Sequence, residues 1–201
     1  VLKAGRVLAA RGIGGYHLIC DARSETAVQR LRERKRRPHK PLAVMFPQAG
    51  ADGLEALRAE LDPGGAECAA LLDPARSIVL SRRRKDSGLA PSVAPGLGEV
   101  GAMLPYSPLH HLLLDAFGGP MIATSGNVSG EPVLTDPAEA ETRLATVADA
   151  FLHHDRPIVR PADDSVMRVA AGRARPIRLG RGTAPLELEL PAALPEPLLA
   201  V

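Results

Sequence analysis

Aromatic side chains are nearly absent. The 201 residues include no Trp, two Tyr and three Phe. Proteins that bind single-stranded nucleic acid stack bases on aromatic platforms, and this chain has few to offer. A core so poor in rings must be filled by Ala, Val, Leu and Ile. Cysteine is as scarce: Cys20 and Cys68 stand far apart and no CxxC pair occurs. Neither a zinc knuckle nor a disulfide framework is implied, and a reducing cytoplasm is the default setting. No run approaches the roughly 20 apolar residues of a membrane span. The opening "VLKAGRVLAARG" lacks the apolar centre of a signal peptide. No GxxxxGK[ST] or GxSxG pattern is present, so a Walker-type loop and a nucleophile elbow are both excluded. "RGIGGYH" supplies GxGG but not the full dinucleotide fingerprint.

What is present is apolar bulk and clustered charge. Hydrophobic residues make up 45% of the chain, enough for one sizeable domain. The net charge is only +2, yet it is segregated. "RERKRRPHKP" at 32–41 packs six cations into ten positions, and "RRRK" at 82–85 adds four. Two basic islands on a mildly acidic body suggest localised anion binding. The absence of an initial Met is what a piece cut from a longer chain would show. The tail after Gly182 is proline-rich and carries no basic residue, as a linker toward a further domain would. The expected division is therefore a domain over 1–182 and a linker over 183–201.

Strand and helix signals alternate along the chain. "RVLAA" and "YHLICDA" read as strands separated by a glycine-rich turn. Ser24 is placed to cap a helix whose Ala27, Val28 and Leu31 share a face and which Pro38 ends. Strands are expected at 41–46, 77–80 and from Pro120, and as a terminal pair over 165–170 and 175–180. Helices are expected over 51–72 with a break at 62–65, over 107–119 and over 136–147. Residues 84–100 read as loop. This alternation indicates an α/β protein with a twisted mixed sheet.

Three segments can carry chemistry. In isolation the run from Lys35 to Lys40 reads as a solvated helix end. The helix dipole accounts for one or two cations there but not the six of residues 32–41. "TSGNVSGEP" at 124–132 is dense in short hydrogen-bonding groups and glycine. Those are ordinary turn residues, yet they follow a hydrophobic strand, where α/β sheets place their ligands. "HHDRPIVRPADDSVMR" at 153–168 offers Asp155, Asp163 and Asp164 as oxygen ligands for Mg²⁺, and Arg156 and Arg160 for phosphate. An exposed loop with internal ion pairs explains it equally. The adjacent pairs His110-His111 and His153-His154 point apart on a helix and make no metal site by themselves.

Taken together, these stretches resemble a known family. "RERKRRPHKPLAVM" is similar to the KxRP segment of YrdC-like domains, and "TSGNVSG" to their Ser-x-Asn segment. Within that superfamily, "KAGRVLAARGIGGYHLICDA", "LAPSVAPGLGEVGAMLPYSPLHHLLL" and "RPIRLGRGTAP" resemble the YrdC-like domain of HypF-type carbamoyltransferases. The resemblance covers about residues 1–185. It implies a twisted sheet flanked by helices, with a basic nucleotide-binding concavity lined by Lys35, Arg37, Ser125 and Asn127, with Thr124 beside them.

It also implies an activity. Stand-alone members make threonylcarbamoyl-adenylate for tRNA modification from ATP, bicarbonate and threonine. HypF-type domains instead make carbamoyl-adenylate from ATP and carbamate, the latter derived from carbamoyl phosphate. Where stand-alone members carry T-x-T-x-Y-G-L, this chain has Gly12, Gly14, Gly15 and His17, which favours the second reaction. The implied partners are a downstream transfer domain and a protein of [NiFe]-hydrogenase maturation. ATP and Mg²⁺ are the implied cofactors, with Asp163 and Asp164 as candidate metal ligands and no membrane involved. Two other readings remain open on the residues alone: a double-stranded RNA-binding module built on the two basic islands, and a scaffold that only docks neighbouring domains.

Overall fold

The computed structural model describes residues 1–127 and 130–186. Its centre is one mixed ten-stranded sheet. The strands are β1 (Leu8–Arg11), β2 (Tyr16–Asp21), β3 (Val44–Met45), β4 (Leu61–Asp62), β5 (Ile78–Arg83), β6 (Glu99–Met103), β7 (Met121–Ser125), β8 (Ala150–Leu152), β9 (Val166–Ala170) and β10 (Arg173–Arg178). Their order is β10-β9-β5-β6-β3-β7-β2-β1-β8, with β4 added on β5. Five helices flank it: α1 (Glu25–Lys35), α2 (Glu55–Arg58), α3 (Gly65–Leu72), α4 (Pro108–Phe117) and α5 (Pro137–Leu144).

Both faces of the central strands are buried, while the edge strand β10 is exposed along its length, and the central strands alternate between the two faces as the period of two requires. Leu18, Cys20, Val44, Val79, Ala102 and Ile122 face α1, which contributes Ala27, Val28 and Leu31. Ile19, Met45, Met103 and Met121 face α4, which contributes Leu114 and Phe117. Small aliphatic side chains fill both layers, as the shortage of rings demands.

The helix ends follow the sequence signals. Ser24 accepts from the Ala27 amide at 3.3 Å. Ser107 caps α4 with Pro108 behind it, and Gly118 closes it at φ 80°. Asp136 caps α5. Other expectations need correction. The helical stretch over 51–72 is two short helices with β4 between them. The strand at 41–46 shrinks to two residues. The loop expected at 84–100 holds as far as residue 98; β6, a strand with both faces covered, begins at Glu99, and both it and β8 are unpredicted strands. Helix α1 stops at Lys35, because Arg36 adopts a left-handed conformation (φ 52°), two residues before Pro38. The proposed linker lies, from residue 187 onward, outside the described residues.

Candidate functional site

The site begins with the stripe on α1. Val28, Leu31, Arg32 and Lys35 follow one another at three- and four-residue steps, so they share one face. All four are buried. Arg32 is only 6% exposed and acts as a staple. Its guanidinium donates to the carbonyls of Ser92 (2.5 Å), Arg37 (2.8 Å), Pro38, Lys40 (both 3.1 Å) and Val93 (3.2 Å). It thereby folds residues 36–41 back over the end of α1. Sequence alone leaves Arg32 as a solvated charge; the structure makes it internal. Arg34 pairs with Asp149 at 2.9 Å.

Lys35, 2% exposed, points to the end of β7. Its Nζ donates to the Ser125 carbonyl and, at 2.9 Å, to Asn127 Oδ1. The Ser125 hydroxyl donates to the same Oδ1 at 2.8 Å, and Asn127 Nδ2 donates to the Glu131 carbonyl. These bonds fix the orientation of the amide. Arg37 reaches the Thr124 hydroxyl at 3.5 Å and the Pro41 carbonyl at 2.9 Å, while its buried Nε has no partner. The turn works because residue 126 is glycine. A Cβ there would lie 2.5 Å from Tyr16 Cβ and 2.8 Å from the Tyr16 carbonyl.

Lys35, Arg37, Thr124, Ser125 and Asn127 all line one cavity of about 520 Å³. That is within the range of small-molecule sites, roughly 300–1,000 Å³. Its floor is apolar, from Ala43, Ile78, Leu80 and Gly101. Gly101 keeps the floor flat, since a Cβ would come 2.8 Å from Ile78 Cγ2. Lys40 and Arg178 add further cations to the wall. Ser129 of the Gly/Ser turn lies outside the described residues.

The acidic segment divides. Asp163 lines the cavity. Asp164 lines it too but is already engaged, with Oδ1 3.0 Å from Arg181 Nη2 and Oδ2 3.3 Å from His17 Nε2. Burial alone would raise its carboxyl. The His17 hydrogen bond and the Arg181 charge outweigh that and hold it at about 2. Its fitness as a metal ligand is correspondingly reduced. Asp155, Arg156 and Arg160 are exposed and take no part in the cavity. Among the described residues, no three His, Cys, Asp or Glu side chains gather as a metal centre. Asp163 can therefore supply at most one carboxylate to Mg²⁺. That suits this ion, which takes one or two carboxylates and completes its shell with substrate phosphates and water.

Sequence reasoning missed Tyr106, His110 and Arg181, which join His17 and Asp164 in a buried polar cluster at the cavity edge. The five residues come from four separate parts of the chain, so no local pattern announces the cluster. Burial, with His17 beside it, pushes the His110 ring down to about 3. The second basic island is elsewhere. Arg82 to Lys85 surround their own concavity with Asp62 and Asp86, and none of them lines the first. Arg84 is tied to Asp86 at 3.0 Å, and Arg83 donates to the carbonyls of Leu89 and Ala90. The two islands therefore do not line one concavity. Among the described residues, no helix is long and apolar enough to cross a membrane.

Burial, with Arg37 and Lys40 nearby, pushes the Lys35 ammonium down to about 7, against a smaller opposing effect of Asp163. The folded protein thus holds fewer protons at Lys35 than the unfolded chain between about pH 7 and the ordinary lysine range. This group's contribution to stability therefore rises with pH across that window. A polyanion in the cavity reverses the shift, because a nearby negative charge favours the ammonium. If that polyanion is ATP, its binding at pH 8 should take up a proton at Lys35. Titration calorimetry in Tris and in HEPES should give enthalpies that differ by the ionisation heats of the buffers. Affinity should fall up to about tenfold per pH unit above pH 7. Equal enthalpies and a flat profile would show that Lys35 does not meet the phosphates.

The geometry defines a class: an α/β protein with a cation-lined cavity at the end of a central strand. Comparison with known proteins agrees. The Sua5/YciO/YrdC family model, described as "Telomere recombination", matches residues 1–180. The chain belongs to that family. Within it, the chain is 46% identical over 200 residues to the carbamoyltransferase HypF of Synechocystis, covering all of this chain and 25% of that protein. It is 50% identical over 190 residues to HypF of Rhodobacter capsulatus, covering 94% of this chain and 24% of that one. A crystal structure of full-length HypF in the phosphate- and nucleotide-bound form superposes with a TM-score of 0.86 at 42% identity, covering 92% of this chain and 28% of that one. The chain thus spans about a quarter of the length of these relatives, the quarter that is the YrdC-like domain of HypF.

Proposed function

We propose that this chain is the adenylate-forming module of a carbamoyltransferase acting in [NiFe]-hydrogenase maturation. It binds ATP in the cavity and converts carbamate, derived from carbamoyl phosphate, to carbamoyl-adenylate. The observation that carries this reading is the convergence of Lys35, Arg37, Ser125 and Asn127 on one wall of a nucleotide-sized cavity. The similarity to HypF carbamoyltransferases, one of them solved with nucleotide bound, supports it. ATP and carbamoyl phosphate are cytoplasmic metabolites, and the cytoplasm is the compartment proposed.

The chemistry asks for position and charge more than for covalent help. A carbamate oxygen attacks the α-phosphorus. The bond from that phosphorus to the oxygen bridging it to the β-phosphorus breaks, and pyrophosphate leaves. Arg37 offers a planar fork for two phosphate or carbamate oxygens, and Lys35 a point charge. Asn127 Nδ2 has one hydrogen beyond its bond to the Glu131 carbonyl, and the Ser125 hydroxyl can donate by turning from Asn127 Oδ1; neither adds charge. Bound Mg²⁺ would neutralise phosphate charge, with Asp163 the carboxylate placed to hold it. A downstream transfer domain would then carry the carbamoyl group to its protein acceptor.

ATP–pyrophosphate exchange tests the reading. Exchange should depend on carbamate and stay at background with threonine plus bicarbonate. Exchange driven only by threonine and bicarbonate would transfer the chain to the tRNA-modification branch.

A further inference from the structure

Next to the phosphate-facing residues stands a buried polar cluster that the adenylation step leaves unused. His17 lines the cavity from β2 and is the register partner of Ser125 on β7. Side chains directly opposed in an antiparallel pair lie on one face, with Cβ atoms about 4.5–5.5 Å apart. The imidazole is held from several sides. Its Nε2 lies 3.3 Å from Asp164 Oδ2 and 3.3 Å from the Tyr106 hydroxyl. The His110 ring centroid is 5.5 Å away. Asp164 is gripped in turn by Arg181, whose other donors reach the carbonyls of residues 75 and 76 at 2.9 and 3.1 Å. The Arg181 guanidinium also lies 3.6 Å over the Tyr106 ring.

An ionised carboxylate only accepts, so His17 Nε2 carries the proton on that side. The ring cannot swing away without leaving Asp164 short of a partner in a buried setting, which is costly. Filling space does not require this arrangement. An apolar side chain would fill it without a buried polar chain, and here His17 Nδ1 and His110 Nδ1 are left with no partner. The cluster costs stability in order to keep one ring in one place, beside the serine that meets the substrate.

We propose that His17 is a specificity-determining residue: a fixed wall beside Ser125 that admits an acid whose nitrogen carries only hydrogen and rejects N-substituted carbamates. Asp164 and Arg181 are positioning residues that act through it. The proposal rests on the adenylate-forming reading above. A pocket wall that excludes one or two methylenes discriminates by about tenfold or more.

The experiment is ATP–pyrophosphate exchange with the whole chain, driven by carbamate (ammonium with CO₂) or by N-ethylcarbamate (ethylamine with CO₂). The wild type should use N-ethylcarbamate at least about tenfold less well, in kcat/KM. His17→Ala should raise the N-ethylcarbamate value toward that of carbamate while the KM for ATP stays within about twofold. Asp164→Asn should move the same ratio in the same direction, a shift that a merely structural role would not produce. His17→Asn, which keeps a donor toward Asp164, serves if the alanine variant does not fold. Equal use of both acids by the wild type, or an unchanged ratio in a folded His17 variant, overturns the proposal alone. No exchange with any acid in the wild type overturns the adenylate reading and this wall with it.

Discussion

Lys35→Ala and Arg37→Ala are each expected to weaken ATP binding by about 30- to 5,000-fold while the protein stays folded. The range follows from truncating one partner of a buried charged contact, about 2–5 kcal/mol. Both side chains sit at the cavity wall and neither belongs to an apolar cluster. The bonds Lys35 gives up, to the Ser125 carbonyl and Asn127 Oδ1, face a cavity that water can enter. Calorimetry with ATP and Mg²⁺ on variants with native circular dichroism measures the effect. Unchanged affinity in both would remove the assignment of the site.

The second large effect is expected at a residue that touches no ligand. Arg32→Met should lower stability by about 3–5 kcal/mol, because it withdraws a buried charge from five carbonyl acceptors at once. For a chain of this length that is a drop of roughly 10 °C in Tm. ATP affinity should fall as well, since Arg37 and Lys40 ride on the loop that Arg32 anchors. A folded variant with wild-type melting and wild-type affinity would show that the loop holds itself.

The contrast between these two residues shows where the sequence was legible. The motif "RERKRRPHKP" alone reads as a solvated helix end; the resemblance picked out Lys35 and Arg37 within it, and both line the cavity. The division of labour inside the run was also present in the helical spacing. Extending the face of Val28 and Leu31 by four residues lands on Arg32 and Lys35, the two cations of the helix that are buried. Reading the run as charge alone hid that pattern. β6 was hidden for a different reason. A five-residue strand with Gly101 at its centre and both faces covered shows no alternation to detect. The cluster of His17, Tyr106, His110, Asp164 and Arg181 had no local signature at all. Asp164 looked like a free acid until the chain, after β10, returned Arg181 to its side.

The placement of Lys35 on the inward stripe of α1 has a consequence for how this protein can change. Leucine or methionine at that position would complete the apolar face and spare an amine its desolvation. Selection for a sturdier fold and selection for the anion site therefore act on residue 35 in opposite directions. Natural proteins commonly keep destabilising groups where function needs them. Here the compromise falls on one side chain, and a polyanion bound in the cavity, as proposed, would relieve it by restoring the charge that burial suppresses.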